Sequence, residues 1–288
     1  MSKLTAASTY KLASGFQIPV IGFGVYLTPQ DVAQNVIYKA LEIGYRHFDT
    51  AQYYNNEQEV VDGISSYLKD HPNLKRSDIF YTTKVDTPNQ GYEKTKISLE
   101  QSLLKAKALK YIDLVLVHAP LTNKEKRLGT YKALQEYVET GKIRSIGVSN
   151  YGISHIEELY NWEGFKIPIS ANQIELNPWL TRKELVEYCR SKNILVEAFS
   201  PLTRGKRIDD PELTALAKKY NKTPAQILLR WSLDSGFITL PKTVTEKRMV
   251  ENLDIFDFEL EKEDFKSLTH DDQYWISLPH WDPVTYEG

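Results

Sequence analysis

Apolar residues along the chain cluster in short runs rich in β-branched side chains. The runs are Val20 to Gly24, Tyr45 to Asp49, Ile79 to Lys84, Ile112 to His118, Arg144 to Ser149, Ser170 to Glu175, Ile194 to Phe199, and Phe237 to Leu240. Helical patterns lie between them. After the first run, Val32, Val36, Ala40 and Ile43 recur at spacings of three and four, which places them on one helical face, with Gly44 as the stop. Similar patterns fill Glu57 to Leu68, Lys94 to Ala108, Lys126 to Glu139, Ser154 to Tyr160, Arg182 to Lys192, Pro211 to Tyr220 and Pro224 to Asp234. A strand followed by a helix of this size builds a right-handed parallel crossover, and eight such units predict an α/β fold closed as a (β/α)8 TIM barrel. The competing arrangement, a doubly wound open sheet, would be marked by a Gly-rich phosphate turn. The one candidate, Gly22-Phe23-Gly24, has Leu27 where the third glycine should stand, so it reads as a tight strand end.

The chain ends extend this plan. Thr9 to Leu12 and Phe16 to Ile18 flank the turn pair Ser14-Gly15, which predicts an N-terminal β-hairpin plugging the bottom of the barrel. A helix is expected over Lys262 to Leu268, followed by a non-helical C-terminal tail, Tyr274 to Gly288, that carries Trp275, Pro279, Trp281 and Pro283. Folded over the barrel mouth, that tail would line the site. No linker, low-complexity tract or block of like charge interrupts the sequence, so residues 1–288 are read as one domain.

Composition narrows the function classes. The 36 basic and 38 acidic residues leave a net charge of −2, which argues against a general nucleic-acid clamp with its need for a basic face. The 41% hydrophobic content fits a globular core. The apolar stretch Ile112 to Pro120 contains Asp113 and His118 and falls far short of the roughly 20 residues of a membrane helix, so no membrane partner is expected. The single cysteine, Cys189, cannot form an internal disulfide, and no basic-then-apolar leader opens the sequence; both fit a reducing cytoplasmic setting. In that setting the sequon Asn221-Lys222-Thr223 is a chance match.

On such a barrel the active site lies at the C-terminal ends of the strands. Three consecutive runs end in ionisable residues, Asp49, Lys84 and His118, and Tyr54 follows Asp49 on the next loop. Alone, each has an ordinary explanation as a cap, a solvated cation, a core histidine or a packing ring. Together on adjacent strands they form a proton-donor set. A phenol is a sluggish acid near neutral pH, and a neighbouring ammonium, Lys84, is expected to lower its pKa. Asp49 would keep Lys84 charged and fixed, and His118 would donate to a carbonyl oxygen. A phenol donor and a polarised carbonyl, with no activated nucleophile, suit hydride addition to an aldehyde or ketone from a nicotinamide cofactor. A cofactor site is suggested by Pro241-Lys242-Thr243-Val244-Thr245, which follows the eighth run and opens a helical pattern with Arg248, Glu251 and Asn252. Lysine, hydroxyl and arginine at a helix start suit a phosphate.

These residues resemble the aldo-keto reductase family, in particular its compact fungal and bacterial branch. Gly44-Tyr45-Arg46-His47-Phe48-Asp49-Thr50-Ala51 with Tyr54-Asn55-Asn56-Glu57 is similar to the family's first signature. Gly147-Val148-Ser149-Asn150, and Asn172-Gln173-Ile174-Glu175 with Pro178, resemble its middle motifs. Leu240-Pro241-Lys242-Thr243 through Arg248 and Glu251-Asn252 resembles the C-terminal one. The resemblance implies a catalytic tetrad of Asp49, Tyr54, Lys84 and His118, with Tyr54 as general acid. It implies that Ser149, Asn150 and Gln173 hold the nicotinamide carboxamide, that Phe199 stacks on the ring, and that Ser200 and Leu202 contact the diphosphate. Lys242, Thr243 and Arg248 would bind a 2′-phosphate, with Asn252 near the adenine, which favours NADPH as cofactor.

The chain departs from better-known members in the substrate pocket. Asp86 and Ala119 stand where tryptophans are frequent, and Tyr26 occupies another aromatic position. A wider, more polar pocket is expected, suited to a small-molecule carbonyl substrate such as a keto ester, a dicarbonyl or a sugar aldehyde, with Trp179, Trp275 and Trp281 as replacement aromatic walls. A monomer is expected, with no metal. A metal-dependent hydrolase would need strand-end ligands beyond His47, Asp49 and His118, and a cofactor-binding subunit without turnover would not need the tetrad.

Overall fold

The structure is a computed structural model that describes residues 3–288. Eight parallel strands form one sheet in chain order: β3 (Phe23–Gly24), β4 (His47–Asp49), β5 (Phe80–Val85), β6 (Ile112–Val117), β7 (Ile143–Ser149), β8 (Ala171–Glu175), β9 (Leu195–Phe199) and β10 (Ile238–Leu240). The cylinder closes between its first and last strands. Ile21 bridges Thr239 in parallel, with Gly22 N donating to Thr239 O at 2.9 Å and Thr239 N to Val20 O at 3.0 Å. Ahead of the barrel, β1 (Thr9–Lys11) and β2 (Gln17–Pro19) form the antiparallel hairpin.

Strand alternation sorts side chains between two apolar clusters. On β6, Val115 and Val117 join the large outer core beneath the helices, whereas Leu114 and Leu116 point into the cylinder. The inner cluster adds Phe80, Ala171, Ile238 and Leu240, and the hairpin residues Leu12 and Ile18 seal it from below. The predicted bottom plug is therefore present, tied to β7 by the Ser14 and Ser145 hydroxyls, 2.7 Å apart. Gly147 is required by closeness of approach, since a Cβ there would collide with the Ala171 carbonyl and the Leu116 side chain. Above the apolar layer the interior turns polar, with Asp49, Lys84, Gln173 and Glu197 all buried.

The helices follow the predicted order: α1 (Gln30–Ile43), α2 (Glu57–Asp70), α3 (Tyr92–Lys105), α4 (Lys124–Glu139), α5 (Ile153–Tyr160), α6 (Lys183–Ser191), α7 (Pro211–Tyr220), α8 (Pro224–Asp234), α9 (Glu246–Leu253) and α10 (Lys262–Leu268). Gly44 ends α1 with φ 122°, and its N–H bonds back to Ala40 O at 3.1 Å. The buried face of α1 is rotated from the expected one. It presents Ala33, Val36, Ile37, Ala40 and Leu41 to the core, while Val32 stays 37% exposed. The row Ala33, Ile37, Leu41 satisfies the same spacing, and packing against α2 selected it. Among the described residues no helix is long and apolar enough to cross a membrane.

Cys189 lies on the buried face of α6, where burial pushes its thiol up to about 11. Thiol alkylation of the native protein is expected to be slow and to leave activity unchanged. Rapid loss of a single thiol to a maleimide, with loss of turnover, would contradict that placement.

Candidate active site

Asp49 ends β4 and Lys84 lies one residue before the end of β5, both pointing inward, so parallel register brings them together at one mouth. Lys84 is fully buried, and its Nζ donates to Asp49 Oδ1 at 2.6 Å, to Thr50 O at 3.0 Å and to Tyr54 OH at 3.3 Å. Tyr54 reaches this position from a 3₁₀ turn over Gln52–Tyr54, which Asn55 terminates in a left-handed conformation with φ 55°. Asn56 pins the loop, accepting from Thr50 Oγ1 at 2.7 Å and donating to Val25 O at 3.0 Å. Gln52 ties it to the β5–α3 loop, accepting from Asp86 N at 3.1 Å and from Asn89 Nδ2 at 2.8 Å. The Tyr54 ring packs between Tyr26, 5.0 Å away, and the edge of His118 at 5.6 Å. All four residues expected to act on protons therefore meet.

Their electrostatics differ from expectation in one respect. Burial dominates at Tyr54 and raises its pKa, with Lys84 pulling against it and Asp49 adding to it. The net shift is upward, not downward, because burial penalises the phenolate more than one ammonium rewards it. The phenol thus rests as an acid, and Lys84 matters as negative charge develops on its oxygen. Burial also opposes the charge on Lys84, but Asp49 and Tyr54 outweigh it and its pKa is raised. At His118 burial and then the Lys84 charge push the imidazole down to about 3, so it is neutral at physiological pH and acts as a hydrogen-bonding group.

A cavity of about 660 Å³ opens over these residues. Its wall includes Tyr26, Asp49, Tyr54, Asp86, His118 and Ala119, and then Ser149, Asn150, Gln173, Phe199, Ser200, Leu202 and Lys242. Lys84 lies behind it, reaching the cavity through the Tyr54 hydroxyl. Ser149 Oγ donates to Gln173 O at 2.8 Å, and Asn150 Nδ2 to His118 O at 2.9 Å, so the ends of β6, β7 and β8 are laced together. Lys242 is half-buried; burial lowers its pKa, and among the described residues its ammonium meets only Leu27 O, at 3.4 Å. Such a cation suits an anionic ligand. Thr243 and Asn252 are buried outside the cavity wall, and Arg248 is exposed on the first turn of α9.

Two predicted pocket residues are elsewhere. Trp179 is 1% exposed and, with Trp275, clasps the Arg207 guanidinium, whose carbon lies 4.9 and 5.1 Å from their ring centres. Their cation–π grip, together with Trp275 N donating to Trp179 O at 2.9 Å, anchors the tail instead of walling the pocket. The tail does cover the mouth, but through Leu278 and Trp281. It is irregular apart from one 3₁₀ turn at Pro283–Thr285. Arg182 straps it down through Asp282 at 2.7 Å and Tyr274 OH at 2.7 Å, and Ser277 N donates to Glu175 Oε1 at 2.8 Å. Sequence reasoning missed Tyr53, Leu27 and Arg204, which also line the cavity. Tyr53 was visible beside Tyr54, whereas Leu27 and Arg204 carry no sequence signal. Among the described residues no group of three or more His, Cys, Asp or Glu is placed to hold a metal.

The model of the aldo/keto reductase family matches residues 21–271 of this chain. A Saccharomyces cerevisiae protein called an uncharacterized oxidoreductase is 47% identical over 266 residues, covering 92% of this chain and 94% of its own. The glyoxal reductase of Bacillus subtilis is 42% identical over 261 residues, covering 90% and 91%. Among solved structures, an aldo/keto reductase from Brucella melitensis superposes with a TM-score of 0.85 at 40% identity, covering 91% of this chain and 98% of its own. The chain belongs to the aldo/keto reductase family, a family of oxidoreductases.

Proposed function

We propose that the protein reduces aldehydes and ketones to alcohols with NADPH, Tyr54 giving the proton. The observation that carries this reading is the Lys84 ammonium, bonded at once to Asp49 and to the Tyr54 hydroxyl at the floor of a cavity that also holds a neutral His118. NADPH, when bound, supplies the hydride. Tyr54 delivers a proton to the carbonyl oxygen, and Lys84 stabilises the phenolate left behind. His118 donates a hydrogen bond that orients that oxygen, and Asp49 keeps Lys84 in place.

The residues fit the cofactor. Ser149, Asn150 and Gln173 offer polar groups for a carboxamide beside Phe199, and Ser200, Leu202 and Lys242 line the same cavity. Lys242, with Thr243 and Arg248 beyond it, would take a 2′-phosphate, and Asn252 would lie toward the adenine. Asp86 and Ala119 leave room and polarity near His118, which supports a keto ester, a dicarbonyl or a sugar aldehyde as substrate; the Bacillus relative named glyoxal reductase favours a dicarbonyl. We take the single-domain monomer as the active unit. The lone buried thiol suits a reducing, cytoplasmic compartment.

The test is NADPH oxidation followed by absorbance with a panel of glyoxals, keto esters and aldoses, with and without a chelator. We expect turnover with at least one dicarbonyl, unchanged by the chelator. Absence of NADPH oxidation with every carbonyl, or turnover abolished by chelation, would remove the proposal.

A further inference from the structure

We propose that Glu197, to which the chemistry above gives no part, is a positioning residue that fixes the Gln173 amide and, through it, Asp49. The inference rests on the nicotinamide reading of the site. Alternation along β9 turns Val196 and Ala198 to the outer core and Glu197 into the cylinder, and parallel register sets it beside Gln173 on β8 and Ile238 on β10. The Gln173 Nε2 lies 2.6 Å from Glu197 Oε2 and 2.9 Å from Asp49 Oδ2. An amide nitrogen has two hydrogens, and both are used here. The flipped amide would turn its own oxygen on the Asp49 carboxylate, acceptor against acceptor, which fixes the orientation. The Gln173 oxygen is left as an acceptor, matched to the N–H groups of a carboxamide. A continuous chain runs from Glu197 through Gln173, Asp49 and Lys84 to the Tyr54 hydroxyl.

Nothing about packing requires a carboxyl there. Glu197 is fully buried, and its Oε1 has no hydrogen-bond partner among the described residues. A buried polar atom without a partner costs stability, and the only bond the carboxyl accepts among the described residues is the one from Gln173. The residue's value therefore lies in what it does to Gln173.

Glu197 also adds a titration to the site. Burial, then the Asp49 charge, push its carboxyl up to about 7, with Gln173 and Lys84 opposing. The charged groups that act on it are Asp49 from β4 and Lys84 from β5, while β8 and β10 present the uncharged Gln173 and Ile238. As pH rises through that value, Glu197 ionises and places a second negative charge beside Asp49. That charge holds the Lys84 proton more firmly and disfavours a phenolate at Tyr54, so proton donation should slow on the alkaline side.

The experiment compares the wild type, Glu197→Gln and Glu197→Leu as full-length proteins, measuring NADPH affinity by fluorescence quenching and kcat and KM for glyoxal from about pH 5.5 to about pH 9. The near-isosteric Glu197→Gln should fold normally and lose the inflection in kcat near pH 7. Glu197→Leu leaves one amide hydrogen without its carboxylate and should weaken NADPH binding about tenfold. Variants that alter only the melting temperature, with the wild-type pH profile and NADPH affinity, would show a merely structural role and overturn the inference while leaving the reductase reading intact. A wild type that neither binds NADPH nor reduces any carbonyl would overturn both.

Discussion

Replacing Tyr54 by phenylalanine is expected to lower carbonyl reduction by about 10²- to 10⁴-fold while leaving NADPH affinity within about twofold of wild type. The substitution deletes one atom. The ring keeps its contacts with Tyr26 and His118, and among the described residues the side-chain hydrogen bond lost is the 3.3 Å one from Lys84 Nζ, worth about 1.5–3 kcal/mol at most. Lys84 retains Asp49 and the Thr50 carbonyl, so no buried charge is stranded. This is why Tyr54 is a cleaner target than its neighbours. Removing Lys84 or Asp49 would leave the other ion buried alone at a cost of about 3–5 kcal/mol, confounding chemistry with folding. Single-turnover NADPH oxidation beside a binding titration separates the two effects. Wild-type turnover in Tyr54→Phe would mean that the proton comes from another group.

The sequence revealed those parts of the site that end strands, and hid those that depend on depth or on distant pairing. Asp49 and His118 terminate apolar runs, and a barrel turns such ends toward a single mouth, so their meeting followed from topology. Lys84 was legible for the same reason, although its complete burial was not. Burial of Tyr54 itself reversed the expected shift of its pKa, because a linear pattern says which face a residue occupies but nothing about how deeply it is buried. Glu197 was invisible for a related reason. In the run Leu195-Val196-Glu197-Ala198-Phe199 it interrupts apolar residues without ending them, and only the register with Gln173 gives it a partner. The tail shows the limit most plainly. Trp275 and Trp281 share one irregular segment, and the strap between Arg182 and Asp282, 100 residues apart, decides that Trp281 faces the cavity while Trp275 turns to Trp179 and Arg207. No local signal carries that information. The rotated face of α1 makes the same point on a smaller scale, since two rows of apolar residues satisfied one spacing and packing chose between them.

Lys242→Ala is expected to raise the KM for NADPH about 10- to 100-fold and to change the KM for NADH far less, with kcat nearly unchanged for both. The magnitude follows from a charge-assisted contact of about 1.5–3 kcal/mol, each 1.4 kcal/mol being a factor of ten. The direction follows from the side chain's surroundings. Lys242 is half-buried, burial works against its charge, and among the described residues its ammonium meets only the Leu27 carbonyl. A cation held under those conditions gains most when a phosphate arrives, and gains little from a ribose hydroxyl. Arg248, exposed on the first turn of α9, should show the same preference with a smaller effect, because water and salt screen a contact at the surface. Raising ionic strength should therefore weaken NADPH binding in the wild type more than in Lys242→Ala, and weaken NADH binding less than NADPH binding. Equal losses for both cofactors in either variant would place the 2′-phosphate elsewhere on the barrel rim.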